Sequence, residues 1–405
     1  MKEVDVRPCS SLDEFVEALV PIYHYFGSAS TPESAERLAQ WLELERVLVA
    51  RVDDGVVGGA GTASLDVSVP GGATIRCGGV TIVGVLPTHR RRGVLNAMMS
   101  AQLADSRARN DVIACLWASE AAIYRRYGYG LASRLGEMTI DRHRTGFAEP
   151  FTQRGDVRLV EFEEAARVFP ALYEQMRRKR AGMMSRTDAW WRTRRLDDDP
   201  ARRKGGPLAC ALLLLDGEPA AYALYRVTQD WSGGMTQGTV RILETATPTP
   251  ESARELWRWL FDFDWTSQFV APMLPVDHPL FLLLAEPRSM ALRVEDGIMA
   301  RLVDVEAALR ARAYESGEEV VFDVVDETAP WNSGRFRVSA DGVALTDAEP
   351  DLRLGIAALS SAYLGGFRFG ELARALRLEE IRRDGVARAD ALFAVAAEPW
   401  CAEVF

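Results

Sequence analysis

The stretch GVTIVGVLPTHRRRGVLNAMM, residues 79–99, decides the fold. Residues 79–85 are apolar and rich in β-branched side chains, the pattern of a strand. Pro87 ends that run. Arg90, Arg91, Arg92 and Gly93 follow. From there Leu95, Met98, Met99 and Leu103 repeat at helical spacing, which predicts a helix over residues 94–108. A strand has fed a helix through a basic corner that carries a glycine. The first amides of a helix lack internal acceptors and carry the positive end of its dipole. A glycine beside them lets a ligand approach the backbone closely. On these residues alone, a solvated turn and an anion cradle fit equally well.

Upstream, Ser11 and Glu14 have capping-box spacing and predict a helix running to about Tyr25, and a second helix is expected over 34–44. Strand patterns follow at 46–52, 56–69 and 73–85, separated by DDG and PGG turns. Downstream, VIACLWA (112–118) reads as a buried strand, SEAAIYRRYG as a short helix and EMTIDRH (137–143) as a further strand. This order predicts one α/β domain over residues 1–150. Residues 151–298 repeat the style, with strands in LACALLLLDG, PAAYALYRV and VRILETATP and a helix in ESARELWRWLFDF. No arginine-glycine corner follows a strand there. Residues 299–405 form a third region, with strands around VVFDVVDET and GRFRVSADG and helices in IAALSSAYLGG and FGELARALRL.

Composition narrows the function. The 405-residue chain is 48% apolar with a formal net charge of -10, so bulk affinity for nucleic acid is not expected, whereas a cationic substrate suits it. Residues 177–206 hold eleven basic residues around Trp190 and Trp191, but Asp188 and Asp197–Asp199 interrupt the run. A solvated helical face with the tryptophans as packing anchors is expected. Five scattered cysteines and four scattered histidines predict neither a disulfide framework nor a metal site. No apolar run is long enough to span a bilayer and the N-terminus lacks a signal-peptide core, so a cytoplasmic location is expected.

Three segments together, VLPTHRRRGVL, LWASEAAIYRRYGYG and the terminal EVF, resemble the Eis (enhanced intracellular survival) family of the GNAT acetyltransferase superfamily. The resemblance covers essentially the whole chain. It implies an N-terminal GNAT domain, a second GNAT-like domain and a sterol-carrier-like C-terminal domain, an α/β (α+β) layout matching the three regions. Leu95 departs from the small residue that closes the general superfamily motif. The resemblance also implies acetyl-CoA as co-substrate, no metal, a homohexamer, and a cationic amine acceptor: an aminoglycoside, a polyamine or a lysine peptide. Aminoglycoside acetylation would bring antibiotic resistance. Sterol carriers raise a different class, a lipid-binding module without turnover, for which IAALSSAYLGG would line a tunnel or form an ordinary helix core.

Acetyl transfer needs an oriented thioester, a neutral amine and a proton for the departing thiolate. Val83, Gly84 and Val85 are positioned to offer strand-edge groups to the pantetheine arm. Arg91, Arg92, Gly93, Val94, Leu95 and Asn96 would hold the pyrophosphate, with Ser119 and Glu120 beside the cofactor by resemblance. Tyr124 matches the family's proton donor, and a phenol with a pKa of about 10 is protonated at neutral pH. The Phe405 carboxylate matches the family's terminal base, at the end of an apolar tail. Ile82 and Val404 replace aromatic and acidic residues seen in relatives and are expected to shape the acceptor pocket.

Overall fold

In the computed structural model, residues 4–200, 203–232, 234–315 and 317–405 are described. They form two compact units: one comprising the chain up to Ser133 with Ala181–Ser185 and Gly297–Phe405, the other Arg134–Arg180 with Arg186–Asp296.

The first unit is built on a seven-stranded sheet. Its chain-order elements are β1 (Asp5–Pro8), α1 (Leu12–Tyr25), α2 (Pro32–Leu38), β2 (Val47–Val52), β3 (Gly55–Ser68), β4 (Thr74–Val85), α3 (Val94–Ala108), β5 (Ile113–Leu116), α4 (Ala121–Tyr124) and β6 (Gly130–Leu131). The α1 start forms as its capping spacing predicts, with the Ser11 side chain accepting from the Glu14 amide. The second helix is shorter than expected because the chain turns after Leu38.

The order across the sheet is β1-β2-β3-β4-β5, then the strand Met299–Leu302, then β6. That inserted strand comes from far along the chain and pairs antiparallel with both β5 and β6. The next strand, β7 (Arg134–Asp141), belongs to the second unit's sheet, not to the first sheet where the run 137–143 was expected. There it pairs with Gln268–Leu274 and Arg293–Asp296. Local patterning predicts a strand at both places, but alternation of side chains says nothing about which sheet receives it.

The Ala181–Ser185 segment runs along the far half of β3. Its Met183 carbonyl accepts from the Ser68 amide at 2.9 Å, and its Ser185 amide donates to Asp66 at 2.7 Å. It therefore covers β3 beyond the point where β2 has ended.

The rest of this unit is a five-stranded sheet in the order Gly342–Leu345, Gly334–Ser339, Val320–Val325, Leu352–Gly355, Leu378–Glu380. Its core is aromatic. Phe322, Phe369 and Phe393 lie 5.0–5.6 Å apart between ring centres, and the Arg312 guanidinium sits 4.2 Å over Phe393. Arg312 also donates to the Tyr363 carbonyl at 2.7 Å and the Phe393 carbonyl at 3.0 Å. IAALSSAYLGG forms the helix Ile356–Tyr363, and its Leu359, Ala362 and Tyr363 are core residues.

The second unit has a seven-stranded sheet of its own, with helices Phe162–Arg177 and Pro250–Leu260 and a core around Trp257, Leu256 and Phe269. The basic stretch 177–206 is not the solvated helical face expected, and its Ala201 and Arg202 lie outside the described residues. The Arg186 side chain is fully buried, pairs with Glu244 through both carboxylate oxygens at 2.8 and 2.5 Å, and lies 3.6 Å over Tyr173. Burial opposes the Glu244 charge, but Arg186 and Arg195 outweigh it and pull that carboxyl down to about 2. Trp190 and Trp191 are buried anchors, as expected.

Candidate active site

The site forms where β4 and β5 part. Their parallel ladder runs from Cys77↔Ile113 to Val80↔Leu116 and stops, although β4 continues to Val85. The cause lies on the other edge of β4. Its register with β3 passes from Gly61↔Thr81 to Gly59↔Gly84, so β4 carries one more residue than β3 across this step. Ile82 absorbs the bulge at φ +48°, a left-handed conformation that a β-branched residue adopts only under constraint. Beyond Val80, β4 therefore offers β5 a bare backbone edge, which holds the predicted Val83, Gly84 and Val85. The Val85 carbonyl itself accepts from the Tyr25 hydroxyl at 3.0 Å.

The corner follows directly. Arg91 and Gly93 both have positive φ, +60° and +87°. Gly93 is the N-cap of α3 and supplies no side-chain acceptor, and the helix ladder opens with Ala97 donating to Gly93 at 3.0 Å. The amides of Val94, Leu95 and Asn96 precede that bond and have no helical acceptor. Among the described residues Arg90, Arg91 and Arg92 make no ion pair, and Arg91, Arg92 and Asn96 are exposed. An open, positively charged helix start beside a bare strand edge fits a pyrophosphate joined to an extended arm. The second unit offers a contrast. Its helix Pro250–Leu260 starts with proline, and Thr249 and Ser252 close a capping box over its first amides.

Gly93→Ala tests the corner. A Cβ there meets nothing within 4 Å, so the cost is conformational alone. It is expected to raise the acetyl-CoA KM about tenfold while kcat stays within about twofold, because an alanine resists the left-handed geometry. Initial rates against acetyl-CoA concentration give both values.

Tyr124 ends the short helix α4, and Ser119 and Glu120 are exposed just before it. Tyr124, Val83 and Leu95 all pack against one apolar cluster that contains Val80, Met99, Leu116 and Tyr129. The Tyr124 ring meets Tyr129 edge-on at 6.0 Å. Burial first, then the Glu120 and Tyr127 neighbours, push its phenol up to about 12. Below that value it holds its proton. The kcat profile should therefore show no basic limb from this group below about pH 10, measured from pH 6 to 10 in constant ionic strength.

The C-terminal tail reaches the same strand. The Phe405 ring lies against β4 at Gly79, where an added Cβ would stand 3.3 Å from the ring and 2.6 Å from Leu65. Trp400 donates its amide to the Ala181 carbonyl at 2.9 Å, and the Trp117 indole N–H donates to the Glu403 carbonyl. The Glu403 side chain is buried, while Val404 is 48% exposed. Gly79 and Val80 face opposite sides of the sheet, so the Phe405 ring and the Tyr124 cluster lie on opposite faces of β4, and groups from the two faces can meet only where β4 and β5 part beyond Val80. Sequence reasoning missed Trp117, Gly79 and the Ala181–Ser185 strap. A Gly78-Gly79 pair inside a strand does signal close approach by another group, and a tryptophan at a strand end needs a partner for its N–H.

Comparison with known proteins assigns this geometry to a class. The acetyltransferase (GNAT) domain family matches residues 7–132, a second acetyltransferase (GNAT) domain family matches 182–302, and the sterol carrier protein domain family matches 305–402. The protein is a GNAT-type acetyltransferase with two such domains and a sterol-carrier-like domain, and its fold implies acetyl-CoA as co-substrate. More narrowly, the chain belongs to the Eis family of N-acetyltransferases. It is 35% identical to N-acetyltransferase Eis of Mycobacterium tuberculosis over 381 residues, 90% of each chain. An uncharacterized N-acetyltransferase of Streptomyces avermitilis is 38% identical over 380 residues, 92% of this chain and 93% of that one. The crystal structure of Eis1 from Mycobacterium abscessus matches with a TM-score of 0.87 at 33% identity, covering 99% of this chain and all of that one. Among the described residues no helix is long and apolar enough to cross a membrane.

Proposed function

We propose that this enzyme acetylates amines of cationic acceptors, aminoglycosides foremost, by direct transfer from acetyl-CoA. The acceptor nitrogen attacks the thioester carbon, and the C–S bond breaks. The Phe405 carboxylate takes the amine proton and Tyr124 gives its proton to the thiolate sulfur. The observation that carries this reading is the seating of the last residue on β4, three residues before the Ile82 bulge. A carboxylate with a pKa of about 3.5 is ionised throughout the working range and suits the role of proton acceptor.

In this reading Val83, Gly84 and Val85 hold the pantetheine arm. Arg91 to Asn96, with Ser119 and Glu120, hold the rest of the cofactor. Ile82 and Val404 line the acceptor side. The net charge of -10 favours a cationic acceptor. Polyamines and lysine peptides share that chemistry and are the alternative acceptors. A homohexamer is the proposed assembly, to be read from the mass in solution.

Thiol release from acetyl-CoA, measured with an aminoglycoside, a polyamine and a lysine peptide in parallel, tests the acceptor class. No turnover with the aminoglycoside but turnover with either other acceptor moves the assignment. A one-glycine extension beyond Phe405 shifts the carboxylate and is expected to lower kcat at least about a hundredfold. Full activity of the extended chain rules the carboxylate out as base.

A further inference from the structure

A chain terminus is ordinarily frayed, because nothing beyond it adds contacts. The last six residues here form neither helix nor strand. Among their fixed points are the Trp400 amide, which donates to the Ala181 carbonyl at 2.9 Å, and two side-chain donors at Glu403. The Glu403 carbonyl, two residues from the terminal carboxylate, accepts from the Trp117 indole N–H and, at 3.3 Å, from the Cys401 thiol. A thiol is a weak donor, so the indole carries most of that anchor. Trp117 is placed to do so rigidly. It follows directly on β5, whose pairing with β4 ends at Leu116, and it stands two residues before Ser119. An indole has two side-chain torsions and a single directed donor, so it fixes a carbonyl with little loss of freedom.

We propose that Trp117 is a positioning residue for the terminal base: it ties the tail to the end of β5 and so sets where the Phe405 carboxylate stands relative to the cofactor slot. The proposal rests on the role given above to that carboxylate. Trp117 touches no reacting atom. Its effect reaches the reaction only through the tail, and this separates it from a residue that merely supports the sheet.

The test compares four proteins: the native chain, Trp117→Phe, the chain extended by one glycine, and the two changes combined. Phenylalanine keeps an aromatic ring and removes only the donor. Trp117→Phe is expected to lower kcat about tenfold, with the acetyl-CoA KM and the unfolding midpoint unchanged. Combined with the extension it should add nothing, since the carboxylate is already displaced. Release of Phe405 by a carboxypeptidase should quicken about tenfold in Trp117→Phe, and less in Cys401→Ala, which loses the weaker donor. An unchanged kcat in Trp117→Phe with a disabled extended chain overturns this proposal and leaves the terminal base standing. Losses that add in the combined variant, or release rates unchanged in both substitutions, overturn it as well. An active extended chain removes the base itself, and the positioning role with it.

Discussion

Tyr124→Phe is expected to lower kcat about 10²- to 10⁴-fold while the acetyl-CoA dissociation constant changes by less than about threefold, the range set by loss of a positioned general acid. The substitution removes one oxygen and keeps the ring. That ring packs with Val83 and Leu95 against the cluster of Val80, Met99, Leu116 and Tyr129, so the slot keeps its wall. In the proposed mechanism the hydroxyl is the part that matters to the chemistry. Burial and the neighbouring Glu120 carboxylate hold its phenol at about 12. It is therefore fully protonated at neutral pH, as the proposed donation to the departing thiolate requires. A role in packing alone predicts the opposite split, with little change in kcat and a fall in stability. Equilibrium binding of acetyl-CoA and single-turnover acetyl transfer, measured on the same preparation, separate the two.

Much of the proposed cofactor half was legible in residues 79–99. The strand, the stop at Pro87 and the helix start at Val94 follow from local patterning and fall where expected. The bulge at Ile82 was not legible, because β-branched residues ordinarily mark regular strands. It arises from pairing with β3, whose Gly58-Gly59-Ala60-Gly61 run lets α1 and α3 approach closely from either side. The placement of β7 and Met299–Leu302 was hidden for a related reason, since either strand could close either sheet by pattern alone. The burial of Arg186 was hidden because its partners, Glu244 and Tyr222, are distant in sequence. Charge density in 177–206 said solvent, and tertiary pairing decided otherwise. The tail is an intermediate case. Its apolar composition predicts burial, but only the fold shows Trp117, Ala181 and Gly79 receiving it.

Asp326→Ala is expected to cost about 3–5 kcal/mol of stability, among the largest losses available to a single substitution in this unit. Asp326 and Arg301 both have fully buried side chains and pair at 2.7 Å. The aspartate also accepts from the Ala329 amide at 3.0 Å, the Thr328 hydroxyl at 3.0 Å and the Asn332 amide group at 3.0 Å. Alanine leaves the Arg301 guanidinium buried without a counter-charge and takes the carboxylate acceptor from four further donors, the Thr328 amide at 3.2 Å among them. The half-exposed pair Arg353–Asp323, 2.8 Å long with Arg353 half in solvent, is the control: Arg353→Ala should cost no more than about 1 kcal/mol. Denaturant unfolding of both variants reads the difference. The consequence extends to catalysis through position. Arg301 lies on the strand inserted beside β5, and its guanidinium carbon would stand 3.0 Å from a Cβ at Gly128, the residue that closes the Tyr124–Tyr127 turn at φ +84°. Thr328 and Asp326 therefore hold, through Arg301, the segment that carries Tyr124, the proposed proton donor. Folded Asp326→Ala protein should accordingly show a lowered kcat as well as an early unfolding midpoint, whereas Arg353→Ala should show neither. Equal unfolding midpoints for the two variants would mean that the buried pair adds no more to the fold than the half-exposed one.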